Sequence, residues 1–201
     1  MRDAAREEVQ HAMKVIVLHG SARTGGDTDT LAEHFLRGLG GEEEHEVTHF
    51  RPIDMEIAHC RACVRCAGGG GCVVHDDMDL VYPTLAEAEV VVLATPMFWG
   101  YMTSQLKTLF DRLEAVVGDG RSFENKDFVL LIGYRQYYGS MVEWLKRITG
   151  FAGSRMHAVV CQTFDPETGR DVPIAETPER LREAAALGET IARRREDSTD
   201  G

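Results

Sequence analysis

Four of the chain's five cysteines lie within thirteen residues, in the spacing C-x2-C-x2-C-x5-C. They are Cys60, Cys63, Cys66 and Cys72. Thiolates this close together suit a metal ion or cluster that needs several soft ligands, because a short segment can surround one centre without a long loop closure. The segment therefore points to metal or redox chemistry.

The sequence leaves three interpretations of these cysteines open. In the first, the run from Gly68 to Gly71 lets Cys72 fold back onto a single cluster. In the second, the ligands hold zinc with His59 or His75 nearby, although structural zinc ligands usually come as two pairs separated by a longer insert. In the third, the thiols hold no metal and are structural or reactive.

A loop rich in glycine and hydroxyl side chains spans residues 20–30, where an apolar run ends and a helix should begin. Gly25 and Gly26 would let the backbone turn its amides inward, and the N-terminus of the following helix favours an anion. Arg23 would add a positive charge. The candidate hydroxyl donors are Ser21, Thr28 and Thr30. The loop therefore predicts a phosphate site.

The same loop has a structural alternative. Asp27 or Thr28 would cap the helix, and the glycines would only turn the chain. Neither the Walker spacing nor G-x-G-x-x-G is present. An ATPase and a Rossmann dinucleotide site are therefore disfavoured.

Aromatic side chains crowd residues 95–102, which follow the most hydrophobic run of the chain. The candidate contacts are Pro96, Met97, Phe98 and Trp99. A flat heteroaromatic ring would suit such side chains, with the backbone amides after the proline facing ring carbonyl groups. Packing in the core or in a subunit interface is the alternative. A third loop, residues 133–139 with Gly133 and Tyr134, adds aromatic and polar surface.

Short apolar runs alternate with amphipathic stretches, and this order predicts the fold. Five runs predict strands, at residues 15–18, 46–50, 90–94, 128–132 and 157–160. Apolar spacing predicts helices over about 106–117 and 141–148, and a last helix from Pro178 to about Arg194. The alternation predicts an α/β fold, a doubly wound five-stranded parallel sheet with helices on both faces. All three loops follow strand carboxyl ends, where such sheets bind ligands.

Size and charge narrow the functional classes. The 201 residues make one ordinary domain. We predict that it spans 13–195, between an N-terminal extension (1–12) and a flexible tail (196–201). A net charge of −11 opposes nucleic-acid and anionic-membrane partners. Neither a signal-peptide pattern nor an apolar run of about eighteen residues occurs, so a cytoplasmic location is expected. Cys161, in an apolar run, is expected to be a small buried hydrophobe.

Three blocks of the chain resemble the flavodoxin-like NAD(P)H-dependent FMN reductases, most closely the branch of the iron-sulfur flavoproteins. The blocks are residues 20–28, residues 60–78 with their Asp-Asp-Met ending, and residues 95–112. The resemblance covers roughly residues 13–115. It implies a flavodoxin-like sheet with strand order 2-1-3-4-5, bound FMN, and NAD(P)H as electron donor.

The resemblance also implies site residues. The phosphate contacts would be Ser21, Arg23 and Thr28, and the ring would be bordered by Pro96, Met97, Phe98 and Trp99, to which we add Gly133 and Tyr134. Asp27 stands where the family often has Asn, and a carboxylate there would repel the phosphate unless it caps the helix or pairs with Arg23. Phe98 replaces a frequent Tyr. In the iron-sulfur branch the four clustered cysteines ligate a [4Fe-4S] cluster, although similar flavoproteins keep cysteines here without one.

The expected function is that of an FMN-dependent NAD(P)H oxidoreductase acting on a small acceptor, such as a quinone, a flavin, a nitro or azo compound, or a pathway intermediate. Two alternatives stay open. One is an iron-sulfur flavoprotein that carries electrons to a protein partner, and the other is a thiol or metal redox sensor. The family implies a homodimer or homotetramer. Flavin chemistry of this kind needs no general base, so we interpret Asp77 structurally, as the N-cap of a helix that starts at Met78.

Overall fold

The computed structural model describes residues 12–117 and 123–199. Five strands form its main sheet: β1 (Lys14–His19), β2 (Glu46–Phe50), β3 (Val90–Pro96), β4 (Asp127–Tyr134) and β5 (Arg155–Gln162). All neighbouring strands are parallel, in the order β2-β1-β3-β4-β5. This is the flavodoxin-like order. The predicted fold class is therefore confirmed.

Within the described residues, six α-helices connect and follow the strands: α1 (Asp27–Leu39), α2 (Met78–Glu87), α3 (Ser104–Asp111), α4 (Glu114–Val117), α5 (Gly139–Phe151) and α6 (Pro178–Thr199). A short hairpin of β6 (Phe164–Asp165) and β7 (Arg170–Asp171) follows β5. No helix in the described ranges is long and apolar enough to cross a membrane.

Two boundaries differ from the sequence-based predictions. The single helix predicted over 106–117 is divided into α3 and α4, because the chain tightens at Arg112 and turns that side chain into the protein. The last helix was predicted to end near Arg194, but α6 continues to Thr199. The predicted tail, residues 196–201, therefore begins inside this helix. The predicted extension, residues 1–12, lies outside the described residues apart from Ala12.

The core lies on both faces of the sheet, because successive strand residues point to opposite sides. One face packs on α1 and α6 through residues such as Val17 and Leu131, and the other packs on α2, α3 and α5. Helices α1 and α6 approach closely, since a Cβ atom on Gly38 would lie 1.9 Å from the carbonyl oxygen of Ala185. Cys161 is buried in the first core, as predicted.

The carboxyl edge of the sheet brings the three predicted loops together. Thr103 Oγ1 donates a 2.8 Å hydrogen bond to the carbonyl of Gly20, which joins the second loop to the first. The amide of Met97 donates to the carbonyl of Gly133 at 2.9 Å, which joins the second loop to the end of β4. The central strands thus hold all three loops against one another.

Candidate functional site

A cleft of about 620 Å³ opens at this edge of the sheet. Its lining includes Arg23, Gly25, Gly26, Asp27, Thr30, Pro96, Met97, Phe98, Gly133, Arg135, Thr163 and residues 171–175. The first and second predicted loops and the end of β4 therefore share one cavity. The last part of the lining, after β7, carries no motif that sequence reasoning could recognise.

The N-terminus of α1 forms one end of the cleft. Its N-cap is Gly26, with extended backbone, and no side chain of the described residues caps the helix. The alternative in which Asp27 or Thr28 caps the helix is therefore not the observed one. The first-turn amides are left for another acceptor, and an exposed Arg23 lies at the same end. This end of the cleft suits an anion.

Two of the predicted phosphate contacts lie behind the cleft surface. Ser21 is buried, and its Oγ accepts from the amide of Arg23 at 3.0 Å and donates to the carbonyl of the same residue at 3.1 Å. Thr28 is also buried, and it packs near Gly133. Asp27 lines the cleft, but its Oδ1 accepts a 2.9 Å hydrogen bond from the amide of Ile174. Asp27 thereby fixes the segment after β7 against α1.

The other end of the cleft is a tight turn from Phe98 to Tyr101. The two residues exchange backbone hydrogen bonds of 2.8 and 3.1 Å. Trp99 and Gly100, between them, have φ angles of 53° and 77°. A left-handed conformation is strained for a tryptophan, and strain of this kind concentrates at functional sites. The Trp99 side chain is fully exposed.

A second cleft of about 420 Å³ adjoins this turn. It is lined by Met97, Trp99, Gly100, Arg135, Gln136 and Tyr137. The predicted orientation of the amides after Pro96 is not found for the first two, since Met97 donates to Gly133 and Phe98 donates to Tyr101. Side chains, both apolar (Met97, Trp99 and Tyr137) and polar (Arg135 and Gln136), therefore line this end.

The end of β4 separates two predicted residues onto opposite faces of the sheet. Gly133 lines the first cleft, where a Cβ atom would lie 3.4 Å from Thr28 Cγ2. Tyr134 points the other way, lies outside both clefts and packs against Tyr138 with ring centroids 4.5 Å apart. Burial raises the pKa of Tyr134. Arg135, which the sequence did not single out, lines both clefts.

The cysteine segment forms a separate feature. Cys60, Cys63, Cys66 and Cys72 are free thiols and line one cavity of about 30 Å³. Between them, Ala62 and Val64 have left-handed φ angles of 50° and 58°. Within the described residues, no group of three or more His, Cys, Asp or Glu side chains stands close enough to hold a metal ion. The four thiols therefore line one cavity without forming a ligand set for a metal ion.

The two histidines that a zinc interpretation would use have other partners. His59 Nδ1 lies 3.3 Å from Thr108 Oγ1. His75 Nδ1 lies 3.0 Å from Asp79 Oδ2. These contacts turn both rings toward neighbouring helices.

A buried arginine closes the cysteine segment at both ends. Arg112 donates from Nη1 to the carbonyl of Ala58 and from Nη2 to the carbonyl of Val74, each at 2.8 Å. Its guanidinium also pairs with the carboxylate of Asp76 at 2.7 Å. Residues 58 and 74 flank all four cysteines. The almost entirely buried side chain of Arg112 thus fixes the distance between the two ends of the cysteine segment.

Cys72 lies beside the Tyr82 hydroxyl and the Arg112 guanidinium. Among the residues that the structure describes, Tyr82 Oη and Arg112 Nε are buried atoms that meet no hydrogen-bond partner of good geometry. Burial opposes ionisation of Cys72, but the amide of Val74, the Tyr82 hydroxyl and the Arg112 guanidinium outweigh it and lower the thiol pKa. Burial raises the pKa of Cys66. Only one of these two thiols is therefore in an environment that favours the thiolate.

Asp76 and Asp77 both accept structural hydrogen bonds near the start of α2, but only Asp76 accepts one from an amide of that helix. Asp77 occupies the N-cap position of α2 without a side-chain cap, and its Oδ2 accepts from the amide of Glu56 at 2.7 Å. Asp76 Oδ1 instead accepts from the amide of Met78 at 3.0 Å. The prediction that Asp77 is the N-cap residue of a helix starting at Met78 is confirmed in position, but the side chain that bonds the first helical amide is that of Asp76, which also pairs with Arg112.

Comparison with known proteins identifies relatives of this chain. An iron-sulfur flavoprotein of Methanocaldococcus jannaschii is 35% identical over 100 residues, which are 50% of this chain and 51% of the relative. An NAD(P)H-dependent FMN-containing oxidoreductase of Bacillus subtilis is 31% identical over 127 residues, covering 63% of this chain and 64% of the relative. The chain thus spans about half to just under two thirds of the length of these relatives.

A solved structure has the same fold. RosB with a bound 8-demethyl-8-formylriboflavin 5'-phosphate intermediate superposes with a TM-score of 0.67 at 20% identity, covering 90% of this chain and 79% of RosB. Residues 13–165 match the NADPH-dependent FMN reductase family. The chain therefore belongs to the NADPH-dependent FMN reductase family, and it is similar in sequence to the iron-sulfur flavoproteins within it.

Proposed function

We propose that the two adjoining clefts hold one FMN, with its phosphate at the N-terminus of α1 and its ring at the Phe98–Tyr101 turn. The observation that carries the proposal is the continuity of the clefts, which share Met97 and Arg135. One ligand with an anionic end and a flat end can therefore occupy both. RosB, with the same fold, binds a riboflavin 5'-phosphate derivative, which supports this choice of ligand.

The residues fit such a ligand in three groups. Arg23 and the uncapped first turn of α1 attract the phosphate, while Ser21 and Thr28 support the loop from behind. Asp27 contributes indirectly, because its carboxylate holds the amide of Ile174 and so the segment that lines the cleft after β7. The ring would be bordered by Pro96, Met97, Phe98 and Trp99, with space left by Gly133 and with Tyr134 supporting the end of β4.

The chain is an NAD(P)H-dependent FMN oxidoreductase, and its chemistry belongs to the cofactor. When bound, FMN supplies the hydride transfer from a nicotinamide donor to an acceptor. The protein orients the ring and leaves it open, since Trp99 and Tyr137 are exposed at the second cleft and Phe98 is exposed at the first. We infer that a small acceptor uses this opening after the nicotinamide leaves. A quinone, a flavin, or a nitro or azo compound would fit that requirement.

Loss of the positive charge at the phosphate end is the first test. Arg23→Gln is expected to weaken FMN binding about tenfold, because one charge-assisted contact is lost. Quenching of FMN fluorescence during titration measures the affinity. Arg37→Gln, on the exposed face near the other end of α1, serves as control and should leave the affinity unchanged. Equal affinities of the wild type and Arg23→Gln would place the phosphate elsewhere.

A side chain at Gly133 tests the middle of the cleft. Gly133→Val would add methyl groups between Thr28 and Thr163, where even a Cβ atom would lie 3.4 and 3.6 Å from their Cγ2 atoms. We expect FMN affinity to fall about 10- to 100-fold through steric exclusion. Gly133→Ala should have a smaller effect in the same titration. If the valine variant folds normally and binds FMN as well as the wild type, the cofactor does not pass this strand end.

A second candidate function adds a [4Fe-4S] cluster on the cysteine segment. The observation that favours it is that all four thiols line one cavity whose two ends are tied by Arg112. Relatives described as iron-sulfur flavoproteins support it. Such a cluster would let electrons leave one at a time toward a protein partner. Iron and acid-labile sulfide per chain after anaerobic purification decide between this function and a reductase with bare thiols.

We also infer a homodimer or homotetramer. A fully exposed Trp99 and a largely exposed Tyr137 at the mouth of the second cleft favour contact with a second copy. Light scattering of the purified protein measures the oligomeric state and tests this inference.

We infer a cytoplasmic location, because four free thiols in one segment suit the reducing conditions of the cytoplasm.

A further inference from the structure

A buried ion pair lies behind the predicted phosphate loop. Asp29, in the first turn of α1, is 5% exposed, and its Oδ2 accepts from Arg51 Nη2 at 2.8 Å. Arg51 follows the edge strand β2, and its side chain is 16% exposed. Neither residue lines the cleft in which we place FMN. Both lie on the opposite side of the loop.

The pair holds three peptide groups of the loop at once. Arg51 Nη1 donates to the carbonyl of Ser21 at 2.8 Å and to the carbonyl of Arg23 at 3.3 Å. Asp29 Oδ2 also accepts from the amide of Gly25 at 2.9 Å. These contacts fix the loop carbonyls on the side away from the cleft. The backbone between them is therefore held in one conformation before any ligand binds.

Two histidines keep Asp29 in place from the other side. His19 Nδ1 lies 2.8 Å from Asp29 Oδ1, and His19 Nε2 lies 2.9 Å from His49 Nδ1. Although burial opposes ionisation of Asp29, the contacts of His19, Arg51 and Gly25 outweigh it and lower the carboxyl pKa. Both carboxylate oxygens are thus occupied, and the side chain cannot rotate toward the cleft.

We propose that Asp29 and Arg51 are positioning residues that pre-shape the phosphate loop for FMN. The proposal deepens the function inferred above and rests on it. Because the pair carries no net charge, its contribution is to geometry and not to the overall attraction of an anion. A loop that is already ordered saves the entropy that binding would otherwise have to supply. Disrupting the pair should therefore weaken the binding only of ligands that carry the phosphate.

The comparison of FMN with riboflavin isolates that effect, because the two share the ring and differ in the phosphate. Arg51→Gln removes the two carbonyl contacts and leaves the Asp29 carboxylate without its cation. Asp29→Asn removes the charge that holds Gly25 and Arg51. We expect each change to weaken FMN about 10- to 100-fold, as for loss of charge-assisted hydrogen bonds. Riboflavin affinity should stay within about twofold of wild type.

A double variant separates positioning from charge. Asp29→Asn with Arg51→Gln restores neutrality behind the loop but none of the lost contacts. If the pair acts through geometry, FMN remains weak in the double variant. If FMN affinity returns to the wild-type value, the pair acts by charge balance alone and the proposal is overturned. Arg51→Lys keeps the charge without the planar fork and should also weaken FMN, which covers the case in which Arg51→Gln does not fold.

The control is Glu33→Gln, an exposed residue one turn along α1 from Asp29. It should change neither affinity. Unchanged FMN affinity in the single variants, or an equal loss for FMN and riboflavin, would overturn the positioning role. A wild-type protein that binds riboflavin and FMN equally, or neither, would instead overturn the proposed site itself, and this inference with it. The two failures are therefore distinguishable in one set of titrations.

Discussion

Asp127→Asn is expected to destabilise the protein by about 3–5 kcal/mol, the usual cost of breaking a buried ion pair by removing one partner. Asp127 is fully buried at the start of β4. Its carboxylate accepts from Arg155 at 3.0 Å, from His157 at 3.0 Å, and from Arg194 and Arg195 at 2.5 and 2.8 Å. One carboxylate thus joins β4 to β5 and to the C-terminal part of α6.

This effect should depend on pH in a defined direction. Burial opposes ionisation of Asp127, but His157, Arg155, Arg194 and Arg195 outweigh it and hold the carboxyl pKa far below its usual range. A lowered pKa contributes stability that is complete above the unfolded value of about 3.9 and is lost as the pH falls through the folded value. The difference between wild type and variant should therefore be full at neutral pH and shrink in acid.

Urea unfolding at neutral and acidic pH measures both expectations. Glu176→Gln is the matched control, because it breaks the exposed Arg170–Glu176 pair of 3.0 Å and should change the stability little. A neutral-pH difference for Asp127→Asn as small as that of the control would contradict the anchoring role of this carboxylate.

Arg112→Gln should lower the free energy of unfolding by a similar amount, about 3–5 kcal/mol, if the lost contacts destabilise the whole domain. The change leaves the carboxylate of Asp76 with only its backbone donors, Ala58 and Met78, and frees the carbonyls of Ala58 and Val74. If the response is local, the cysteine segment opens. Faster reaction of its thiols with a maleimide, followed by mass spectrometry, would then report the opening.

Two further variants define the role of Arg112. Lys107→Gln breaks an exposed ion pair with Asp111 on the same helix and should change neither stability nor thiol reactivity appreciably. Arg112→Lys retains the charge, but one ammonium cannot reach the acceptors that the planar fork holds, so only partial rescue is expected. Wild-type stability together with wild-type thiol reactivity in Arg112→Gln would show that the segment is held by other contacts.

The fold was predictable because its signals are local. Continuous apolar runs such as residues 90–94 and 128–132 belong to strands buried on both faces, and amphipathic spacing marks the helices between them. Glycines and hydroxyls after the first strand likewise marked the edge where the clefts lie. These features depend on residues close together in sequence.

The partners of the site residues could not be predicted, because they depend on distances that only the folded chain sets. Arg51 reaches Asp29 across 22 positions, and Arg112 reaches Asp76 across 36. The role of Asp27 could not be predicted either, because its hydrogen-bond partner, the amide of Ile174, lies 147 residues away in the sequence. Arginines are common on protein surfaces, so nothing in the sequence separates these buried ones from the others.

Anaerobic mixing of the FMN-loaded protein with NADPH, and with NADH in parallel, tests whether the bound flavin accepts a hydride from a nicotinamide donor. We expect one FMN bound per chain and rapid loss of the oxidised flavin absorbance with at least one of the two donors. Reoxidation by a small quinone should then restore the absorbance through repeated cycles. A protein that binds no FMN, or whose bound FMN is reduced by neither donor, would not be an NAD(P)H-dependent FMN oxidoreductase.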